Sequence, residues 1–355
     1  MRGITRRELL RLGGTTAGMA ALMTLLGCST RPNDNDATPV AEPASEPTSE
    51  EVLEPARDWE SHEGGGPVVY FTPNISPAGL VAAYEALGTQ LPGKVGVKIS
   101  TGQGEHSNYL RPEFIADLVH LVDGDIVECN TAFSGSRGIT ESHLRIIEQR
   151  GFPSVANTVI LDGEADMEIP VANGRHLQGN LVGARLDDYS GHLVLSHFKG
   201  HVNGGFGGAI KNMSIGYASK AGKSRIHTAG AHDSEWLSYG GAEQDDFLES
   251  MAEAAKSVVD HVGAENIAYV NVMNRLSVDC DCDPNPREPT MADIGILSSL
   301  DPVALDCACA DLVYAASDGA DLVGRIESLN GWHTLEYGEQ IGLGSMGYTL
   351  VALDA

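Results

Sequence analysis

The sequence has 355 residues, of which 49 are acidic and 23 are Lys or Arg, so the formal net charge is −26. A surface this acidic repels phosphate backbones and anionic lipid headgroups, which argues against nucleic acid as a partner. The hydrophobic fraction of 42% suits a folded core and excludes disorder for the body of the chain.

The N-terminus carries both parts of a lipoprotein export signal. Arg6 and Arg7 are followed by Leu9 and Leu10, which fits the twin-arginine pattern. The apolar stretch 13–27 is too short for a permanent membrane span and ends directly before Cys28. We therefore expect a signal peptide over 1–27 and a lipid on Cys28. The lipid alone would anchor the exported protein to the outer face of the cytoplasmic membrane.

The next segment is predicted to be a disordered tether. Residues 28–66 are rich in Pro, Glu, Ser, Asp and Ala, lack apolar periodicity and end in three consecutive glycines. Residues 67–355 then read as an α/β domain, of one or two subdomains.

Apolar runs of strand length alternate along this domain with stretches of helical period. Strands are predicted over 68–72, 95–100, 125–130, 192–197, 267–273 and 346–353. Helices are predicted over 77–87, 112–122, 140–149, 244–262, 302–316 and 320–329. Such alternation predicts a mostly parallel sheet with helices on both faces and ligands at the carboxyl ends of its strands.

A basic, glycine-rich segment follows the predicted strand 192–197. His197, Lys199 and His201 are candidate catalytic residues, and acid–base chemistry would fall to a histidine because its ordinary pKa is near neutral. The glycines would let a backbone approach a ligand, and the free amides of a short helix start would favour an anion. The candidate ligand-binding residues are Gly204, Gly205, Gly207, Gly208, Lys211 and Asn212.

Several segments together resemble the large family catalogued as domain of unknown function 362. They are 195–201 (LSHFKGH), 204–212 (GGFGGAIKN), 278–283 (VDCDCD), 293–297 (DIGIL) and 301–304 (DPVA). The resemblance runs from about residue 68 to the C-terminus. It implies no settled reaction, and the ferredoxin-type module of some family members is absent from this sequence because no Cys-x-x-Cys-x-x-Cys run occurs.

Two pairs of closely spaced cysteines suggest metal ligands. Cys280 and Cys282 are two residues apart in a turn-rich segment, where extended backbone would project both sulfurs to the same side. Cys307 and Cys309 lie on a predicted helix, where they differ by about 200° and only one can face a shared site. Cys309 shares the apolar stripe of that helix and is the inward one.

Cys129, at the end of a predicted strand, would complete a four-sulfur metal site. Its members are Cys129, Cys280, Cys282 and Cys309, a set that suits tetrahedral zinc or an iron–sulfur cluster. In the alternative, Cys129 and Cys309 are small buried apolar residues and the other two form a disulfide or stay free.

The sequence thus predicts a membrane-tethered redox enzyme or redox partner with a Cys-ligated metal or iron–sulfur centre and a small anionic substrate. The alternative is a non-catalytic lipoprotein that binds a small anion or a metal. A redox-active centre or turnover would distinguish the first from the second.

Overall fold

The computed structural model describes residues 60–235 and 241–353. Its strands are β1 (Glu63–Thr72), β2 (Val95–Lys98), β3 (Gly124–Glu128), β4 (Thr158–Ile160), β5 (Asp166–Pro170), β6 (Gly179–Gly183), β7 (Gly191–His197), β8 (Lys199–His201), β9 (Gly205–Gly207), β10 (Ile267–Met273), β11 (Gly295–Ser299) and β12 (Tyr348–Ala352). Eight of them form one sheet in the order β12-β1-β11-β10-β7-β2-β3-β4. Neighbours are parallel except where β11 pairs antiparallel with β1 and β10, so the predicted mostly parallel sheet is confirmed.

Helices cover both faces of this sheet. They are α1 (Pro77–Glu85), α2 (Pro112–Leu121), α3 (Thr140–Gln149), α4 (Ala209–Ser214), α5 (Lys220–His227), α6 (Gln244–Val262), α7 (Pro302–Ala315), α8 (Ala320–Ser328) and α9 (His333–Gln340). Leu193 and Leu195 of β7 pack in the core beneath α1 and α2, while Val194 between them packs with α4, α6 and α7. This alternation is the period of a strand that is buried on both faces.

The strand order reverses direction beside β2. The chain proceeds from β2 to β3 and β4 on one side, and then places β7 and β10 on the other. A crevice forms at such a switch point, outside the carboxyl ends of the strands. Lys98, Glu128 and His197 are the last residues of β2, β3 and β7, so their side chains meet at this crevice.

The first strand begins inside the predicted tether. β1 includes Gly64, Gly65 and Gly66, so the tether boundary at residue 66 is wrong. Gly66 has a φ of +117°, and a Cβ there would lie 2.3 Å from the carbonyl oxygen of Gly347. Gly66 is thus required by a close approach of two backbones rather than by flexibility.

Arg6, Arg7 and Cys28 lie outside the described residues. Among the residues that are described, no helix is long and apolar enough to cross a membrane.

Candidate anion-binding pocket

A cavity of about 120 Å³ opens at the carboxyl ends of β2, β3 and β7. Five of its lining side chains are cations, namely Lys98, Arg137, Lys199, Lys211 and Lys223, and two are carboxylates, Glu128 and Asp281. The pocket is therefore net positive in a chain whose formal charge is −26. A concave positive site of this kind attracts small anions even when the surface around it is acidic.

Glu128 is shared by two of the cations. One carboxylate oxygen accepts a hydrogen bond from Arg137 at 3.0 Å, and the other lies 3.5 Å from the Lys98 ammonium. Burial alone would raise the pKa of Glu128, but the charges of Lys98 and Arg137 hold it well below its ordinary value. This part of the pocket is an internal ion-pair network.

Asp281 neutralises Lys199 on the opposite wall. Its carboxylate accepts a hydrogen bond from His197 Nδ1 at 2.9 Å and lies 3.0 Å from the Lys199 ammonium. Burial would raise the pKa of Asp281, yet Lys199 and His197 hold it well below its ordinary range. The Asp281 loop is thereby tied to the end of β7.

Lys211 differs from these paired cations. Its ammonium lines the cavity, and it has no hydrogen bond or ion pair with any residue in the described part of the chain. Burial, together with the nearby charge of Lys199, lowers the pKa of Lys211 to about 7. Lys211 thus offers a donor to a ligand and changes its protonation near neutral pH.

His197, predicted to act in acid–base chemistry, has a protein oxygen atom beside each of its ring nitrogens. Its Nε2 faces the carbonyl oxygen of Asn274 at 2.6 Å, while its Nδ1 faces Asp281. Both ring nitrogens of His197 are thus engaged by oxygen atoms of the protein itself. Lys199 is likewise committed, since its ammonium also donates to the carbonyl oxygen of His197 at 2.6 Å.

His201 is buried in a single tautomer. Its Nδ1 accepts hydrogen bonds from the backbone amides of Gly204 at 2.9 Å and Asn203 at 3.3 Å. Burial lowers the pKa of His201 well below its ordinary value, so the ring is neutral and its proton lies on Nε2. His201 is therefore a hydrogen-bond donor rather than a general base.

The glycine-rich segment shapes the pocket but leaves no free helix start. Gly205 and Gly207 pair β9 with His201 and Lys199 of β8, and Gly204 donates to the His201 ring. The first amides of α4, Ala209 and Ile210, donate to the Asp306 carboxylate at 2.7 and 2.9 Å.

A Cβ on Gly208 would lie 2.2 Å from this same carboxylate. Asp306 therefore occupies the place that the sequence assigned to an anionic ligand, and Gly208 is explained by this contact. The predicted anion site on the helix amides is wrong.

Asn212 is a cross-link and not a ligand. Its side-chain amide donates to the carbonyl oxygens of Lys98 and Leu195, and its oxygen accepts from the Lys98 ammonium at 3.2 Å. These bonds hold β2, β7 and α4 together beneath the pocket.

Five charged residues of the pocket were missed from the sequence: Lys98, Glu128, Arg137, Lys223 and Asp281. Lys98 and Glu128 each end an apolar strand, and a charge in such a place is costly unless it is paired. A charged residue at the end of an apolar strand could therefore have identified Lys98 and Glu128 as members of an ion pair.

The predicted four-sulfur centre is not assembled. The Cys129 thiol donates to the carbonyl oxygen of Tyr217, and the Cys309 sulfur accepts from Asn271 beneath the sheet. Burial raises the pKa of Cys129 to about 12 and that of Cys309 well above its ordinary value. Both are buried apolar residues, as the alternative interpretation holds.

Cys280 and Cys282 form a disulfide with a Cα–Cα distance of 5.2 Å. Three groups of described residues have ligand atoms within 4.8 Å of one another and could hold a metal ion. These are His201 with Cys280 and Cys282, His62 with Cys307 and Asp311, and His176 with Asp246 and Glu249. Groups that could hold a metal are therefore present among the described residues, but with a different membership from the predicted one.

Residues 95–311 match the family described as a domain of unknown function, DUF362. The chain belongs to this family. No curated protein matches the sequence.

Two solved structures are similar to the chain at low identity. The lactate racemase apoprotein from Thermoanaerobacterium thermosaccharolyticum is 14% identical with a TM-score of 0.38, over 61% of this chain and 52% of that chain. A protein from Thermotoga maritima is 11% identical with a TM-score of 0.39, over 71% of this chain and 58% of that chain. The chain thus spans little more than half the length of either, and nothing about its activity follows.

Proposed function

We propose that the protein binds a small anion carrying more than one negative charge in this pocket and transfers a proton through Lys211. The observation that carries the proposal is the unpaired Lys211 ammonium among five cations in an acidic chain. The paired lysines and Arg137 supply a positive field, and Lys211 supplies the direct charged hydrogen bond.

Lys211 favours chemistry over simple capture. A lysine whose pKa is about 7 exists as both ammonium and free amine at neutral pH. Its free amine accepts a proton from the bound substrate, and the ammonium returns one to the product. A capture protein needs only a permanent charge, which an ordinary solvated lysine would provide.

Titration calorimetry with succinate and inorganic phosphate tests the binding step. We expect Lys211→Met to weaken the binding of either anion by about tenfold or more, because a charge-assisted hydrogen bond is lost. Lys256→Met is the matched control, since Lys256 forms a surface pair with Asp260 on α6. Equal affinities of the two variants would contradict the proposal.

Export and anchoring belong to the same proposal. The twin-arginine motif and Cys28 support attachment to the outer face of the membrane by lipid, with the domain at the end of its tether. A redox partner on that membrane remains part of the hypothesis.

For the cofactor, we keep the hypothesis of a single metal ion bound by cysteine sulfur and not that of a cluster. With Cys129 and Cys309 engaged elsewhere, an iron–sulfur cluster lacks two of its predicted ligands. Zinc, bound by Cys280 and Cys282 in their reduced form, is the remaining version of that hypothesis. Elemental analysis of the purified protein tests it.

A further inference from the structure

The Cys280–Cys282 disulfide lies on the wall of the pocket with its two sulfurs unequally exposed. Cys282 lines the cavity and is partly exposed, whereas Cys280 is 2% exposed. A thiolate bound in the pocket therefore reaches Cys282 and not Cys280. Unequal access of this kind fixes which sulfur is attacked and which one leaves.

The surroundings of Cys280 suit a leaving thiolate. The backbone amide of Cys282 already donates to the Cys280 sulfur at 3.2 Å. A ring nitrogen of His201 lies within 4.8 Å of both sulfurs. Since the Nδ1 of His201 accepts two amides, its Nε2 carries the proton, and this N–H would stabilise negative charge on sulfur if it turned toward Cys280.

The same tautomer argues against a metal at this place. An imidazole that binds a metal must offer a lone pair, and the only lone pair of neutral His201 accepts the amides of Gly204 and Asn203. A disulfide offers no thiolate to a metal either. The side chains fit sulfur exchange better than metal ligation.

We propose that the pocket binds a small thiol bearing carboxylate groups and exchanges its sulfur with the Cys280–Cys282 disulfide. The inference rests on the proposed function, because it assigns a substrate class to the same pocket. Lys211 takes the thiol proton, and the resulting thiolate attacks Cys282. The Cys280–Cys282 bond breaks, and its electron pair remains on Cys280 as a thiolate.

A second molecule of the same thiol, after losing its proton, then attacks the small molecule's sulfur in the mixed disulfide, and Cys282 leaves as a thiolate. The protons given up by the two small thiols end on Cys280 and Cys282. The products are the disulfide of the small molecule and the reduced protein, so two thiols are oxidised while one protein disulfide is reduced to two thiols. The Cys280–Cys282 disulfide is then re-formed by the reverse exchange, in which the disulfide of another molecule is reduced.

The test compares thiols of different charge on the full-length Cys28→Ala protein. Mercaptosuccinate, 2-mercaptoethanol and cysteamine are each added, the reaction is quenched by alkylation, and modified cysteines are counted by mass spectrometry. We expect mercaptosuccinate to reduce the disulfide at least about tenfold faster per thiolate than 2-mercaptoethanol, with saturation and with inhibition by succinate. Cysteamine should be the slowest.

Variants test whether the preference for mercaptosuccinate arises in the pocket. Lys211→Met should bring the rate ratio of mercaptosuccinate to 2-mercaptoethanol close to one, whereas Lys256→Met should keep the wild-type ratio. Mass spectrometry of the wild-type protein with limiting mercaptosuccinate should find the adduct on Cys282 and not on Cys280. This readout does not depend on whether a cysteine variant folds.

Two results would overturn the exchange. One is an equal rate for mercaptosuccinate and 2-mercaptoethanol, and the other is a purified protein with free Cys280 and Cys282 and one equivalent of metal. Succinate binding separates the two proposals: if succinate binds through Lys211 but the rates are equal, only the exchange fails. If neither succinate nor inorganic phosphate binds, both fail.

Discussion

Glu128 is the buried carboxylate that forms ion pairs with Lys98 and Arg137 at the base of the pocket. Its side chain is 6% exposed and touches both cations. Removing one partner of a buried ion pair leaves the others uncompensated, which costs about 3–5 kcal/mol. We expect Glu128→Gln to lower the free energy of unfolding at pH 7 by about that amount in urea denaturation.

The stabilisation by Glu128 should depend on pH in one direction. The pKa of Glu128 in the folded protein lies below its ordinary 4.5, so its stabilisation is complete above that pH and is lost as the pH falls further. The difference in the free energy of unfolding between the wild-type protein and Glu128→Gln should therefore be constant from pH 7 to pH 5 and become smaller below pH 5. Glu141→Gln is the control, because its pair with Arg145 is exposed and worth under about 1 kcal/mol.

The single residues of the pocket show what local sequence can and cannot predict. Lys211 was selected because basic residues are scarce in this chain, and it lies on the cavity wall. The ion pair between Glu128 and Lys98 could not be predicted, because it depends on β2 and β3 being neighbours, which no local pattern shows. The partners of the His197 ring, Asp281 and Asn274, lie more than 70 residues away, so no local pattern could predict them.

The strand β1 shows the same limit among the secondary-structure elements. A run of three glycines after a Pro-rich and Glu-rich segment is typical of a flexible linker. Here it lies within β1, at the register shift between the residues Glu63 and Val68, which pair with β12. By contrast, the strand predicted over 267–273 matches β10 at both ends, because a run that is apolar except for Asn271 is a local signal. The antiparallel strand β11 was not predicted, although part of it was quoted in the family resemblance.

The glycines of β1 offer a matched pair of variants. We expect Gly66→Ala to destabilise the protein by at least about 2 kcal/mol, because φ is +117° and the new methyl group meets the carbonyl of Gly347. Gly64→Ala should change stability by under about 0.5 kcal/mol, since nothing lies within 4 Å of its Cβ position. Thermal unfolding of both variants is the measurement, and equal melting temperatures would show that the segment is not held as a strand.

The distribution of charge connects the whole molecule to its proposed location. A chain of net charge −26 is repelled by anionic headgroups, so electrostatic attraction cannot hold the domain at a membrane. Only the lipid proposed on Cys28 would do so. The pocket gathers positive charge in one crevice and is therefore the part of the described surface best suited to retain an anion.

Export and anchoring can be separated by variants outside the described residues. Replacing Arg6 and Arg7 together by lysine should retain the protein in the cytoplasm, because the twin-arginine pathway reads the arginine pair itself. Cys28→Ala should leave the domain folded but remove it from the membrane, since a lipid is the proposed anchor. Fractionation followed by a high-salt wash of the membranes measures both. A Cys28→Ala protein that stays on washed membranes would show that something other than the lipid attaches it, and the acidic surface makes simple charge attraction an insufficient explanation.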